Sequence, residues 1–159
     1  MTVEAAWRIE IANTSIVPHS DAVVGWQLLP GVGATVTFTG QVRRNSLAGD
    51  VSAIDLEHYP GMSERLLMQL LHDAAAQWGI VAGEIVHRVG MVPAGETIVR
   101  VSVASAHRRE AFEAAAWLMD ALKTRAPFWK REWVDGVPCW VEAKASDHAA
   151  AARWAPSAD

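Results

Sequence analysis

"ETIVRVSVASAHRREAFEAAAWLMDALKTRAPFWKREWV", residues 96–134, decides the fold class. Its first ten positions are crowded with β-branched side chains and read as a strand. From about Ala106 to Arg125 the residues are mostly good helix formers with apolar positions at helical spacing. Pro127 ends that helix, because a proline pushes the residue before it out of the helical region. "FWKREWV" then alternates with period two, placing Phe128, Lys130 and Glu132 on one face and Trp129, Arg131 and Trp133 on the other. Strand, long helix and strand in succession predict an α+β chain.

The flanks extend this pattern. "WRIEIANTSI" reads as an opening strand, and "SDAVVGWQLL", capped by Ser20 or Asp21, as a short helix ending at Pro30-Gly31. "GATVTFTGQVR" and "VSAIDLEHY" are expected to be partner strands around the polar loop "RNSLAGD", whose order is left open. "MSERLLMQLLHDAAAQW" aligns Leu66, Leu67, Leu70, Ala74 and Trp78 on a helical face. "GEIVHRVG" and "ETIVRVSVAS" read as strands joined by the turn "MVPAGE". Downstream, "FWKREWV" and "PCWVEA" flank Asp135-Gly136 in a hairpin with a loop slightly longer than two residues. "SDHAAAARW" closes the chain as a short helix. No repeat or linker interrupts residues 1–159, which are expected to form a single domain.

Composition narrows the function. With 51% hydrophobic and 20% charged residues the chain is globular, and its net charge of −4 argues against general nucleic-acid binding. Its apolar runs are too short to span a bilayer, and the N-terminal segment lacks the apolar core of a signal peptide. Cys139 is the single cysteine, which excludes an internal disulfide; between Pro138 and Trp140 it is expected to be a buried, inert thiol. The six histidines form no close metal-ligand pair with one another or with Cys139, so no metal site is expected. No phosphate loop, dinucleotide fingerprint or nucleophile elbow is present. The expected compartment is the cytoplasm.

Several cations stand where a solvated face does not require them. At about 100° per residue, Phe112, Ala116, Met119 and Lys123 fall on one stripe. Lys123 is therefore either a last-turn charge complementing the helix end, its stem reaching to water, or an amine partly removed from water with a lowered pKa. His107, Arg108 and Arg109 occupy the first turn, where free N–H groups and the dipole attract anions. His107 and Arg108 read as an anion site or as solvated side chains; Arg109 reads as solvated. Arg43 and Arg44 lie where a strand gives way to the polar loop.

The segments "VTFTGQVR", "LEHYPGM", "SAHRREAFEA", "MDALKTRAPFWKRE" and "WVEAKASDHAAAARW", in order from about Gly33 to Trp154, resemble the large, catalytic subunit of molybdopterin synthase. The resemblance implies an α/β-hammerhead fold with an additional α+β part. It implies sulfur transfer to cyclic pyranopterin monophosphate, forming the molybdopterin dithiolene of the molybdenum cofactor. No permanently bound cofactor is implied: sulfur arrives as a thiocarboxylate on the C-terminal Gly-Gly of a small ubiquitin-like partner. Two large subunits would form the central dimer of a heterotetramer, with a pocket near the dimer contact to which both chains contribute. Lys123 and Lys130 match the family's active-site lysines, and His107 with Arg108 a substrate-contacting pair. Gln41, Val42 and Arg43 match another contact segment, although the position of Gln41 is often basic in the family. Phe38 matches an aromatic near the pocket, and Arg131 and Glu132 extend the segment begun by Lys130. The competing reading is a non-catalytic module binding an anion or RNA through the same arginines and aromatics.

Overall fold

The computed structural model describes residues 6–156; the first five and the last three residues of the chain lie outside them. In chain order the elements are β1 (Trp7–Ala12), α1 (Asp21–Trp26), β2 (Ala34–Gln41), β3 (Asn45–Ser46), β4 (Gly49–His58) and α2 (Met62–Trp78). Then follow β5 (Ala82–Arg88), β6 (Gly90–Pro93), β7 (Thr97–Ser105), α3 (Arg108–Arg125), β8 (Phe128–Val134), β9 (Val137–Val141) and α4 (Ala145–Ala152). The architecture is α+β, as the strand–helix–strand pattern predicts.

Two sheets divide the strands. The first runs β1-β5-β7-β2, with β1 parallel to β5 and the other pairs antiparallel. Its central strands β5 and β7 are buried along almost their whole length, with α2 and α3 packed over one face. Leu67, Leu70 and Leu71 of α2 meet Ile85, Val101, Val103 and the small-residue face of α3 in the main core. That face of α3 consists of Ala111, Ala114, Ala115, Trp117, Leu118, Ala121 and Leu122, so alanines let the helix lie close to the sheet. The second sheet runs β3-β4-β8-β9, with β6 also paired to β4. Its core is smaller, built on Val51, Ile54, Leu56, Val92 and Val134. Ile98 and Phe128 pack against both cores.

Three strand expectations are corrected. The strand of Phe38 does not pair with β4: β2 lies beside β7 in the first sheet, while β4 pairs with β8 in the second. The loop around Leu47 is a tight hairpin, with Asn45 opposite Asp50 and Ser46 opposite Gly49. The expected turn "MVPAGE" contains β6, which crosses to the second sheet and sets Val92 opposite Ile54. The pairings of β2, β4 and β6 are non-local, and local propensity carries no information about such partner choice. The Asp135-Gly136 loop is also tighter than expected: Val134 pairs directly with Val137, and both loop residues have positive φ, 49° and 79°. These signs are those of a two-residue type I′ turn.

One buried ion network ties the N-terminal segment to the first sheet. Glu84 is fully buried; its Oε1 accepts from Arg100 Nε at 2.9 Å, and its Oε2 from Arg8 Nη1 at 2.8 Å and Ser20 Oγ at 3.0 Å. Arg100, also buried, donates to the backbone carbonyls of Val17 and His19. Removing Glu84 would leave the Arg100 guanidinium buried without its counter-charge. Glu84→Ala is therefore expected to destabilise the fold by about 3–5 kcal/mol, read from the midpoint of a urea titration; a midpoint near wild type would show the network to be dispensable.

Candidate active site

A cleft of about 240 Å³ opens where the C-terminal half of α3 meets the second sheet. Its chemistry follows from the register of β4 with β8. Ile54 stands opposite Glu132, Leu56 opposite Lys130 and His58 opposite Phe128. Directly opposed residues share a face, so Phe128, Lys130 and Glu132 line the cleft above the aliphatic floor of Ile54 and Leu56. Met119 and Lys123, one helical turn apart on α3, form the facing wall, and Gln41 and Arg43 enter from the end of β2. Lys144 and Asp147 approach from the start of α4, where Asp147 Oδ2 accepts the Lys144 backbone N–H at 3.1 Å.

The two lysines differ from the sequence expectation. The stripe Phe112–Ala116–Met119–Lys123 is not the buried face of α3: Phe112 is 63% exposed and Lys123 is exposed as well. Helical periodicity defined the stripe, but the alanine-rich face packs more closely on the sheet and takes the buried position. The amine held partly out of water is that of Lys130. Burial lowers its pKa most, the neighbouring Lys123 ammonium lowers it further, and Glu132 opposes both. The cleft therefore sets two amines against each other, a repulsion that an arriving anion would relieve.

Not every residue singled out from the sequence reaches this cleft. Arg131 lies on the opposite face of β8, ion-paired to Asp55 and to Glu57 at 3.2 Å, with its guanidinium 4.9 Å from the Trp140 ring centroid. Strand alternation forces this separation from Lys130 and Glu132. Val42 is a core residue, 2% exposed, whose backbone pairs with Glu96 and Gly95. Phe38 is 41% exposed on β2 and does not line the cleft. Cys139, expected to be buried, is exposed. It sits on β9, which lies at the open edge of the second sheet.

His107 and Arg108 lie elsewhere. Fifteen residues of helix separate Arg108 from Lys123, about 22 Å at the rise of an α-helix. Both are exposed and line a shallow depression with Gly33 and Ala106. Gly33 belongs there because a Cβ would lie 2.2 Å from the Ala106 carbonyl oxygen. Arg109 is engaged by Glu113 at 3.0 Å, one helical turn on, in keeping with its reading as a surface residue.

Sequence reasoning missed His87. It is the one position of β5 that is not fully buried, and it lines the cleft. Its ring stacks on Phe128 with centroids 4.3 Å apart and planes inclined by 25°. Its Nδ1–H donates to the Arg88 carbonyl at 2.8 Å. Burial pushes its pKa down to about 4; the backbone hydrogen bond opposes the shift, and Lys123 and His58 add to it. In sequence His87 was one of several scattered histidines, and only its place on a strand ending at the cleft distinguishes it.

A half-closed cleft holding an amine pair, a neutral imidazole and an arginine is the equipment of an enzyme acting on an anionic substrate. Comparison with known proteins gives the particular family. The MoaE protein family model matches residues 13–125. The molybdopterin synthase catalytic subunit of Yersinia pestis is 54% identical over 122 residues, 77% of this chain and 81% of that one. The molybdopterin cofactor biosynthesis protein E of Burkholderia multivorans superposes with a TM-score of 0.75 at 37% identity, covering 92% of this chain and 95% of that one. The molybdopterin synthase structure from Staphylococcus aureus gives the same TM-score at 28% identity, over 83% and 95%. The chain belongs to the MoaE family.

The depressed His87 pKa has a consequence for stability. Between about pH 6.5 and 4 the unfolded chain takes up a proton at His87 that the folded chain refuses, so stability falls as pH falls through this window. His87→Asn keeps an N–H donor for the Arg88 carbonyl but does not titrate. Its unfolding free energy is expected to fall less than that of wild type between pH 7 and pH 4.5, measured by denaturant titration; parallel curves would show that His87 is not held neutral.

Proposed function

We propose that this chain is the catalytic subunit of a molybdopterin synthase, transferring sulfur from the C-terminal thiocarboxylate of a small ubiquitin-like partner to cyclic pyranopterin monophosphate. The observation that carries this reading is the cleft lined together by Lys123, Lys130 and Arg43. Membership of a family whose relatives are named catalytic subunits supports a second, different subunit. The lone cysteine, exposed on β9, is not among the cleft-lining residues, which fits sulfur supplied by the partner with no permanently bound cofactor. Among the described residues no helix is long and apolar enough to cross a membrane, and the proposed site of action is the cytoplasm.

In the proposed reaction the thiocarboxylate sulfur attacks a substrate carbon and displaces an oxygen substituent, which leaves with a proton, forming an acyl–sulfur link between tail and pterin. Arg43 and the two lysines hold negative charge in the cleft, and Lys130, the less hydrated amine, lies nearest the role of a proton carrier. Hydrolysis then frees the tail, and a second charged partner delivers the second sulfur.

His107 and Arg108 join this site through a second copy of the chain. Among the described residues β2 pairs only with β7, so its other edge is unpaired. A two-fold axis near Phe38 would align two β2 edges antiparallel. The Gly33–His107–Arg108 end of each chain would then stand beside the Gln41–Arg43 end of the other. β2 spans roughly 27 Å at the usual rise of a strand, close to the distance along α3 between Arg108 and Lys123. The exposed Phe38 would lie in this contact.

Lys123→Ala is expected to abolish dithiolene formation in an assay with thiocarboxylated partner and pterin precursor. Lys123→Arg, which keeps charge but cannot shuttle protons, should be equally inactive if the free amine is needed. Cys139→Ser should turn over normally. Mixing Lys123→Ala with Arg108→Ala chains should restore roughly a quarter of wild-type activity, because half the dimers are mixed and each then holds one intact site. No recovery on mixing would place each site within a single chain.

A further inference from the structure

The geometry points to His87 as the group that activates the water which releases the partner's tail. This inference rests on the sulfur-transfer reading above and assigns a step for which the lysines are unsuited. Hydrolysis of an acyl–sulfur link needs a group that can take a proton from water while the carbonyl carbon is attacked. An ammonium at Lys123 or Lys130 stabilises the resulting oxyanion, and a lysine engaged in that role cannot also receive the proton. A base is required in the same cleft.

His87 meets the geometric requirements. A carbonyl oxygen can only accept, so the contact from Nδ1 to the Arg88 carbonyl fixes the proton on Nδ1. Nε2 then carries the lone pair, as the one ring atom left for a ligand. No hydrogen bond within the described residues engages Nε2, and it is not among the buried atoms left without a partner. It is therefore open to the cleft that His87 lines. Phe128 holds the ring by stacking, and Phe128 is in turn flanked on its own sheet by His58, with centroids 6.4 Å apart.

The charged and titratable groups around the ring come from three elements. Lys123 belongs to α3, His58 to β4, and Lys130 with Glu132 to β8. Burial first, and then the charge of Lys123, keep the imidazole neutral and so available as an acceptor. An anionic substrate and a C-terminal tail bring negative charge beside it, which raises its affinity for a proton at the moment one must be taken.

The step balances with water as the only co-reactant. Water loses a proton to Nε2 as its oxygen bonds to the acyl carbon. The carbon–sulfur bond then breaks, its electron pair leaving with sulfur as the thiolate on the pterin. The tail departs as a carboxylate, and the protons on Nε2 and on the nascent acid pass to solvent. Lys123 and Lys130 stabilise the oxyanion and the leaving thiolate.

The test separates formation of the tail–pterin conjugate from its breakdown, using wild-type protein, thiocarboxylated partner and pterin precursor, with samples quenched in acid and weighed by mass spectrometry. His87→Asn retains the donor to Arg88, and His87→Gln places an amide near Nε2; neither accepts a proton. Both are expected to form the conjugate within about threefold of the wild-type rate and to break it down about 100-fold more slowly, so that it accumulates. Hydroxylamine, which needs no base, should discharge it. Wild-type breakdown in the folded variants, or equal slowing of both steps, would overturn the assignment. Should both variants fail to fold, the solvent isotope effect on the wild-type protein decides: breakdown should slow about twofold in D2O while formation does not, and an unaffected breakdown would refute a proton transfer there. A wild-type protein that forms neither conjugate nor product counts against the sulfur-transfer reading itself and removes this step with it.

Discussion

The antiparallel register between β4 and β8 sets the chemistry of the cleft. With Leu56 opposite Lys130 and Ile54 opposite Glu132, the polar cleft-facing side chains of β8 stand over an aliphatic floor. A slip of one residue would turn Trp129 and Arg131 inward and expose Lys130 and Glu132. Several contacts resist that slip. Arg131 is clamped to Asp55 and Glu57 on the outer face, and Tyr59 and Trp129 meet edge to face with centroids 4.7 Å apart. The two-residue turn at Asp135-Gly136 fixes the companion pairing of β8 with β9. Arg131 therefore holds in place the strand that presents Lys130, without entering the cleft itself.

Within the cleft, burial and like charge act together. Lys130 loses water to the walls and faces the Lys123 ammonium, and both effects favour its neutral form. His87 is kept neutral chiefly by its own burial, with Lys123 and His58 adding to the effect. The cleft lining is mixed, with Arg43, Lys123, Lys130 and Lys144 set against Glu132, Glu142 and Asp147. An anionic ligand removes the repulsion, strengthens each charged contact and changes the proton affinities of the groups that surround it. Binding and proton transfer are coupled through this one feature.

In the proposed dimer the cleft and the start of α3 would be two halves of one site that a single chain holds apart. An 18-residue helix cannot bring both of its ends to one phosphate. The open edge of β2 lies between them, and its length matches the separation that a second copy must span. Exposed Phe38, which packs in neither core, and the sequence motif at His107 and Arg108 would have a common explanation in the proposed dimer.

Much was legible in the sequence by itself. Strand–helix–strand order, the end of α3 at Pro127, the hairpin at Asp135-Gly136 and the two-face alternation of residues 128–133 all follow from local propensity and periodicity. Lys123 and Lys130 were also recognisable, because their segment is distinctive. Only the tertiary structure decided which strands are partners, that β6 crosses to the second sheet, and that Arg131 and Val42 stay out of the cleft. It alone moved the desolvated amine from Lys123 to Lys130, exposed Cys139 and brought His87 to the site. The physical reason is the same in each case. Periodicity states which residues share a face, whereas burial depends on what packs against that face, and the alanines of α3 and the non-local pairing of β4 with β8 make that choice.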